Sequence, residues 1–272
     1  MSDAGDGDRG EGGRAGLRQR VHNLNWKVQQ WRNWDRPHAR IVPAVLQHSG
    51  YVVQSGPFAG MRYIEDVPLD QALVPRLLGA YEAELHYPVS QMIDRRYDTL
   101  IDVGSSEGYY AVGFALRSPN THVHAFDIDG SMQAWCKRMA ELNDVSDRVD
   151  VHGWCDAETI QKLASGRTLV FSDCEGGEVE LLDPELAPVL RDCDMLVEVH
   201  DLFVPGASDI LRRRFEGTHD LYVIDSMFHD PRRFAVLASL SDRDRRIALD
   251  ERRPASMQWF VLWSKSATSD GS

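Results

Sequence analysis

The sequence predicts a doubly wound α/β domain, and three observations carry that prediction. Short apolar runs alternate with amphipathic helical patterns from about residue 99 to about residue 263. A glycine-rich turn, Gly104-Ser-Ser-Glu-Gly108, joins the first apolar run to a helical pattern. Aspartates recur at or just after successive predicted strands (Asp102, Asp127, Asp156), the end at which open α/β sheets bind ligands.

Bulk properties set the limits. A chain of 272 residues with 43% hydrophobic content suits one large α/β domain with an N-terminal extension. A formal charge of -12 argues against nucleic acid or an anionic membrane as partner, since both demand a basic surface. Cys136, Cys155, Cys174 and Cys193 form no C-x-x-C pair and read as reduced thiols of a soluble cytoplasmic protein. No apolar run approaches the length of a membrane span.

Taken in order, residues 1–16 are rich in glycine and charge and are expected to be a disordered tail. Leu17, Val21, Leu24, Val28 and Trp31 then follow helical spacing up to Pro37, an amphipathic helix that needs a partner surface. That surface is its own domain, a homodimer contact, or a cleft over which the helix closes as a lid. Trp26, Trp31 and Trp34 either line an acceptor pocket or pack inside. Residues 51–54 and 61–64 flank a glycine-containing loop and predict a hairpin, and 71–85 a helix in which Glu82 and Glu84 lie on different faces. This extension, 17–98, precedes the main domain, 99–266.

Within that domain the strands are expected at 99–103, 123–127, 149–152, 168–172, 195–199, 221–224 and 259–263. Helices are expected at 131–143, with Ser131 as N-cap and Met132, Trp135, Met139 and Leu142 as its buried stripe, and near 158–164, 184–191 and 209–215. A further helical region follows Arg233.

The turn at Gly104 narrows the ligand. It lacks the middle glycine of the dinucleotide fingerprint and the lysine of a P-loop. Asp102, two positions before the first glycine, would repel a diphosphate and suits a ligand with a cationic end, such as S-adenosylmethionine. Asp127 is placed to accept ribose hydroxyls, and Asp156 to meet an adenine amino group. Each aspartate alone is also an ordinary turn former.

Asp102-Val-Gly-Ser-Ser-Glu-Gly-Tyr-Tyr-Ala-Val-Gly113 resembles motif I of class I S-adenosylmethionine-dependent methyltransferases, and Ala125-Phe-Asp-Ile-Asp129 resembles their second motif. The resemblance implies a Rossmann-like seven-stranded sheet in the order 3-2-1-4-5-7-6, with the last strand antiparallel. It places Asp102, Gly104, Ser106, Gly108, Tyr109, Asp127, Ile128, Asp156 and Asp173 at the cofactor. Ser172-Asp-Cys-Glu-Gly-Gly-Glu178 with Leu196-Val-Glu-Val-His200 is similar to the FkbM-type pattern, whose members are mostly O-methyltransferases of secondary metabolites and sugars. Residues 195–206 also look like the corresponding stretch of catechol-type O-methyltransferases, which implies metal ligands at Asp173, His200 and Asp201.

A hydroxyl acceptor must lose its proton, to a general base or with the help of a divalent cation. Asp173, Glu198 and His200 are the expected catalytic groups, with Glu175 and Glu198 as further ligands of an ion (Mg²⁺, Mn²⁺, Fe²⁺ or Zn²⁺). Two other readings stand beside it: His200 as a metal-free base, or all of these side chains as caps and structural hydrogen bonds. His229-Asp230 reaches the same cleft or simply makes a turn. The expected activity is methyl transfer from S-adenosylmethionine to a small-molecule hydroxyl; a noncatalytic binding protein and an NAD-dependent oxidoreductase are the alternatives.

Overall fold

Thr99–Val103 (β1) is buried along its whole length, as a strand covered on both faces must be. Its neighbours follow from that: β2 (His122–Phe126) and β4 (Thr168–Ser172) pair with it in parallel on either side. The computed structural model describes residues 38–65, 72–227, 229–251, 253 and 257–266. Among them seven strands form one sheet in the order β3-β2-β1-β4-β5-β7-β6, with β3 Val149–His152, β5 Asp194–Val199, β6 His219–Asp225 and β7 Gln258–Ser264. The first five strands run parallel, and β7 inserts antiparallel between β5 and β6. This is the expected topology. The predicted tail, the predicted helix at 17–31 and its tryptophans lie outside the described residues.

The described helices are α1 (His38–Ser49), α2 (Leu73–Leu78), α3 (His86–Arg95), α4 (Tyr109–Arg117), α5 (Gly130–Leu142), α6 (Ala157–Leu163), α7 (Glu178–Leu181), α8 (Ala207–Phe215) and α9 (Asp242–Ala248). They cover both faces of the sheet. On one, Leu100, Val123 and Phe171 pack with Ile41, Val53 and Leu77 from the segment before β1; on the other, Ile101, Val103 and Met195 pack with Ile160 and Leu211. Among the described residues no helix is long and apolar enough to cross a membrane. All four cysteines are free thiols.

Several local expectations are corrected. The helix predicted over 71–85 stops at Gly79 (φ +67°), where a Cβ would lie 1.9 Å from the Ser55 carbonyl oxygen. Glu82 then takes a left-handed conformation (φ 46°) before a 3₁₀ turn at Ala83–Leu85, and α3 begins where no helix was expected. The N-cap of α5 is Asp129, whose carboxylate accepts from Ser131 N–H at 2.7 Å; of the expected stripe Met139 is buried and Trp135 and Leu142 pack half-buried on the core, with Cys136 and Ala140 buried beside them. The predicted hairpin is reduced to a single antiparallel bridge, Val52 to Arg62, and 184–191 forms only a 3₁₀ turn at Pro188–Arg191.

Candidate active site

The glycine-rich turn is shaped by contact with its neighbour strand. Gly104 (φ +93°) sits so close to the β4 loop that a Cβ would lie 1.8 Å from the Asp173 carbonyl oxygen. Gly108 (φ +96°) packs against α5, where a Cβ would meet Cys136 Sγ at 2.8 Å. Both positions therefore demand glycine. Gly104 and Ser105 donate their N–H groups to the Phe126 carbonyl, each at 2.9 Å, and Ser106 N–H donates to Asp127 Oδ2 at 2.9 Å. Asp127 Oδ1 accepts from Asp129 N–H at 2.8 Å. The Asp127 carboxylate thus fixes its own loop and the turn together.

Beneath the turn lies a group that the sequence analysis missed. Glu107 is buried and ion-paired to Arg76 of α2 at 2.5 Å; it accepts from the Tyr63 hydroxyl and, at 2.8 Å, from Ser106 Oγ. Burial opposes its charge, but Arg76 and these hydrogen bonds hold its carboxyl below the usual range. The signal was present only as an isolated acidic residue inside the motif. Its partner lies thirty-one residues upstream, beyond the reach of local pattern.

Asp102 is fully buried. Neither carboxylate oxygen has a hydrogen-bond partner of normal geometry among the described residues. Burial, Asp173 and Asp127 push its carboxyl well above the usual range, and the Ala111 amide offsets only part of this. Three carboxylates on neighbouring strand ends therefore repel one another, an arrangement that a cation relieves and a phosphate worsens. Ile128, 59% exposed, presents an uncovered apolar side chain next to Asp127. Asp156 is exposed and caps α6, accepting from Thr159 N–H at 2.8 Å. Tyr109 does not face the cleft with its side chain: its ring is buried against Phe58 and Tyr81, leaving only its backbone to a ligand.

At the ends of β4 and β5 a second constellation forms around His200. Its Nε2 lies 3.2 Å from Glu198 Oε2, 3.6 Å from Asp173 Oδ1 and 3.9 Å from Glu175 Oε2. Asp173, Glu198 and His200 can each turn one ligand atom toward a common point. Glu178, the first residue of α7, fixes the frame: it accepts from His200 N–H at 2.7 Å and Gly176 N–H at 2.9 Å, and its Oε1 lies 3.4 Å from His200 Nδ1. Burial works to lower the imidazole pKa, but Glu178, Glu198 and Asp173 override it and push it up to about 11. Enclosure and the adjacent Glu198 likewise raise the Asp173 carboxyl well above the usual range. That shift favours the imidazolium form, which makes His200 a poor proton acceptor in this arrangement.

Asp201 is not part of this group. It is exposed, and its Oδ1 accepts from Ser208 N–H at 3.1 Å, so the chain turns its carboxylate toward the start of α8. Glu198 stands in the third ligand position instead, because β5 alternation puts it on the same side as His200.

The cluster continues into a buried acidic wall. Arg253 lies 3.0 Å from Glu84, 2.9 Å from Glu251, 3.6 Å from Glu82 and 4.0 Å from Glu198. Glu82 and Glu84 meet the same guanidinium, contrary to the helical expectation, because Glu82 has left the helix. Burial raises the Glu82 carboxyl to about 8, although Arg253 and the Tyr110 hydroxyl, which donates to it at 2.5 Å, pull the other way. His229 reaches this wall, with Nε2 3.3 Å from Glu251 Oε1, whereas Asp230 makes the turn, accepting from Arg232 N–H. Arg253 and Glu251 gave no motif in the sequence.

No family model matches the chain. It is 27% identical over 160 residues to the release factor glutamine methyltransferase of Synechocystis sp., a match that takes in 47% of this chain and 50% of that protein. The chain thus spans about half the length of the curated relative it matches. Among solved structures, the cofactor-bound Rv0187 from MTB is similar with a TM-score of 0.47 at 13% identity, over 84% of this chain and 90% of that one. A precorrin-6y C5,15-methyltransferase from Geobacter metallireducens is similar with a TM-score of 0.44 at 10% identity, over 75% and 93%.

Proposed function

We propose that the chain is an S-adenosylmethionine-dependent methyltransferase acting on a hydroxyl of a small molecule. The observation that carries the reading is Asp102: a fully buried carboxylate with no side-chain partner among the described residues and only the Ala111 amide to offset it, directly under a glycine turn that only glycine can form. In this reading the cationic end of the ligand relieves Asp102 and Asp173, Asp127 accepts from ribose hydroxyls, Ile128 covers one adenine face, and Asp156 meets its amino group. Gly104, Ser106, Gly108 and the Tyr109 backbone line the approach. Bound, S-adenosylmethionine supplies a sulfonium methyl for in-line displacement.

On the acceptor side the chain must hold a hydroxyl and remove its proton. Beside Asp173, whose carboxyl burial keeps protonated, Glu198 is the acceptor for that proton, and the His200 imidazolium 3.2 Å away holds it in place and stabilises its charge. The same three side chains fit a divalent cation, which would lower the hydroxyl pKa there, and the charge excess around His200 favours one. The segment 38–98 contributes Glu82 and Glu84 to the cleft wall and in this reading shapes the acceptor pocket. A second reading, methylation of a polypeptide amide, is favoured by the sequence likeness to the Synechocystis protein.

Calorimetry with S-adenosylmethionine, S-adenosylhomocysteine and NAD tests the first step. Both adenosyl ligands are expected to bind, and D127A to weaken them by about 1–3 kcal/mol; NAD binding with no response to either overturns the reading. Label transfer from methyl-labelled donor to small hydroxyl compounds, and to glutamine-containing peptides, separates the acceptor classes. Activity that survives exhaustive chelation removes the cation.

A further inference from the structure

Away from the acidic cleft, at the β2–β3 edge, three histidines and an aspartate share one face of the sheet. His122 and His124 alternate along β2, and Asp150 and His152 along β3, with His124 directly opposite Asp150. Two residues apart on a strand means the same side, so the register alone brings the four together. His122 Nε2 lies 2.8 Å from Asp150 Oδ2, His124 Nδ1 lies 3.8 Å from the same oxygen, and His124 Nδ1 lies 3.4 Å from His152 Nε2. The rings are tiered along the face, His122 to His124 at 4.8 Å and His124 to His152 at 5.5 Å between centroids.

The separations carry the argument. N/O ligands at ~2.0–2.1 Å in a tetrahedron stand ~3.3–3.4 Å apart, and the separations from Asp150 to His122 and His124, 2.8 and 3.8 Å, bracket that spacing. His122, His124 and Asp150 can each offer one atom within 4.8 Å of the others, and His152 stands next in line to His124. An imidazole pair 3.4 Å apart shares either one hydrogen bond or one ion. Both strands are held rigid by the ladder, which keeps the donors preorganised. The site is partly open, with His122 and Asp150 half-exposed and His124 more enclosed, so an ion has a path in.

We propose that His122, His124 and Asp150 bind a divalent transition ion of the Zn²⁺ class, with His152 beside His124. Imidazole and carboxylate donors favour Zn²⁺, Ni²⁺ or Cu²⁺ over Mg²⁺ or Ca²⁺. The ion links edge strand β3 to β2 and is separate from the cleft: its donors on β2 sit on the half of the strand remote from Asp127.

The test is a Zn²⁺ titration of the untagged, metal-stripped full chain by calorimetry, repeated on E198Q, which disables the β4–β5 cluster, and on H122Q/H124Q. One ion is expected to bind E198Q, and H122Q/H124Q to weaken that site by more than about a hundredfold while leaving the circular dichroism and adenosyl-ligand binding unchanged. Should the double variant lose its fold, D150N, which removes one donor from an exposed position, is expected to weaken the site at least about tenfold. Substituted Co²⁺ is expected to show the intense visible band of tetrahedral N/O coordination. Binding that survives H122Q/H124Q unchanged, or E198Q that takes up no ion, overturns the proposal.

Discussion

The glycine turn and the acidic wall meet at Asp173 but are built on opposite principles. The turn, 102–108, is one continuous segment whose shape is imposed by backbone contact: a carbonyl where a Cβ would be, and N–H groups tied to Phe126 and Asp127. The wall is assembled from side chains of four separate segments around 82–84, 198–200, 229 and 251–253, held by ion pairs to Arg253 and His229 and by hydrogen bonds such as Tyr110 to Glu82. A site made by sterics tolerates changes of pH and salt but no added methyl. One made by charge has the reverse sensitivities.

The largest effect should come from breaking the steric half. G104A places a Cβ against the Asp173 carbonyl in a left-handed conformation and is expected to cost more than about 3 kcal/mol of stability or, where the fold survives, to abolish adenosyl-ligand binding. Thermal denaturation and calorimetry check it, and a variant that binds normally would show the close approach to be dispensable. Next comes the ion pair beneath the turn. R76M and E107Q are each expected to cost about 3–5 kcal/mol by stranding a buried charge, while the double variant costs less than the sum. Chemical denaturation of all three closes the cycle; strict additivity would mean that the two groups do not act as a pair.

The charged half is sharpened by pH. Folded Glu82 titrates near 8, well above an unfolded glutamate, so between about pH 4.5 and 8 the native state holds a proton that the unfolded chain has released. Its contribution to stability is complete below that window and is lost as pH rises through 8. E82Q is expected to flatten this part of the pH–stability curve, seen in denaturation midpoints across pH 5–9. An unchanged slope would assign the proton elsewhere. The smallest effect is at Asp201: D201A loses one helix-start hydrogen bond, about 0.5–2 kcal/mol, with activity retained.

These contrasts also explain what could be read in advance. The alternation of strands and helices and the turn were legible because periodicity and glycine spacing are local properties of the chain, whereas the strand order came only with the resemblance of the 102–113 and 125–129 motifs to a known family. The helix over 71–85 failed at Gly79 because Ser55, from another segment, sets its conformation there. Asp173, Glu198 and His200 were legible as a group since strand ends in this topology converge. Asp201 misled because adjacency in sequence says nothing of which way a loop turns its side chain. Glu107 with Arg76, and Arg253 with its carboxylates, are long-range pairs with no periodic signature.

The insertion of β7 between β5 and β6 has a consequence in time. β5 and β6 are both synthesised before the strand that separates them, and Glu198 faces Trp259 across the β5–β7 ladder. Until residues 258–264 emerge, β5 is an open edge, and Glu251 and Arg253 of the wall come only a few residues before them. Every strand that carries the glycine turn, β1, β2 and β4, is thus made before Glu251 and Arg253, so in order of synthesis the cradle precedes the charged wall.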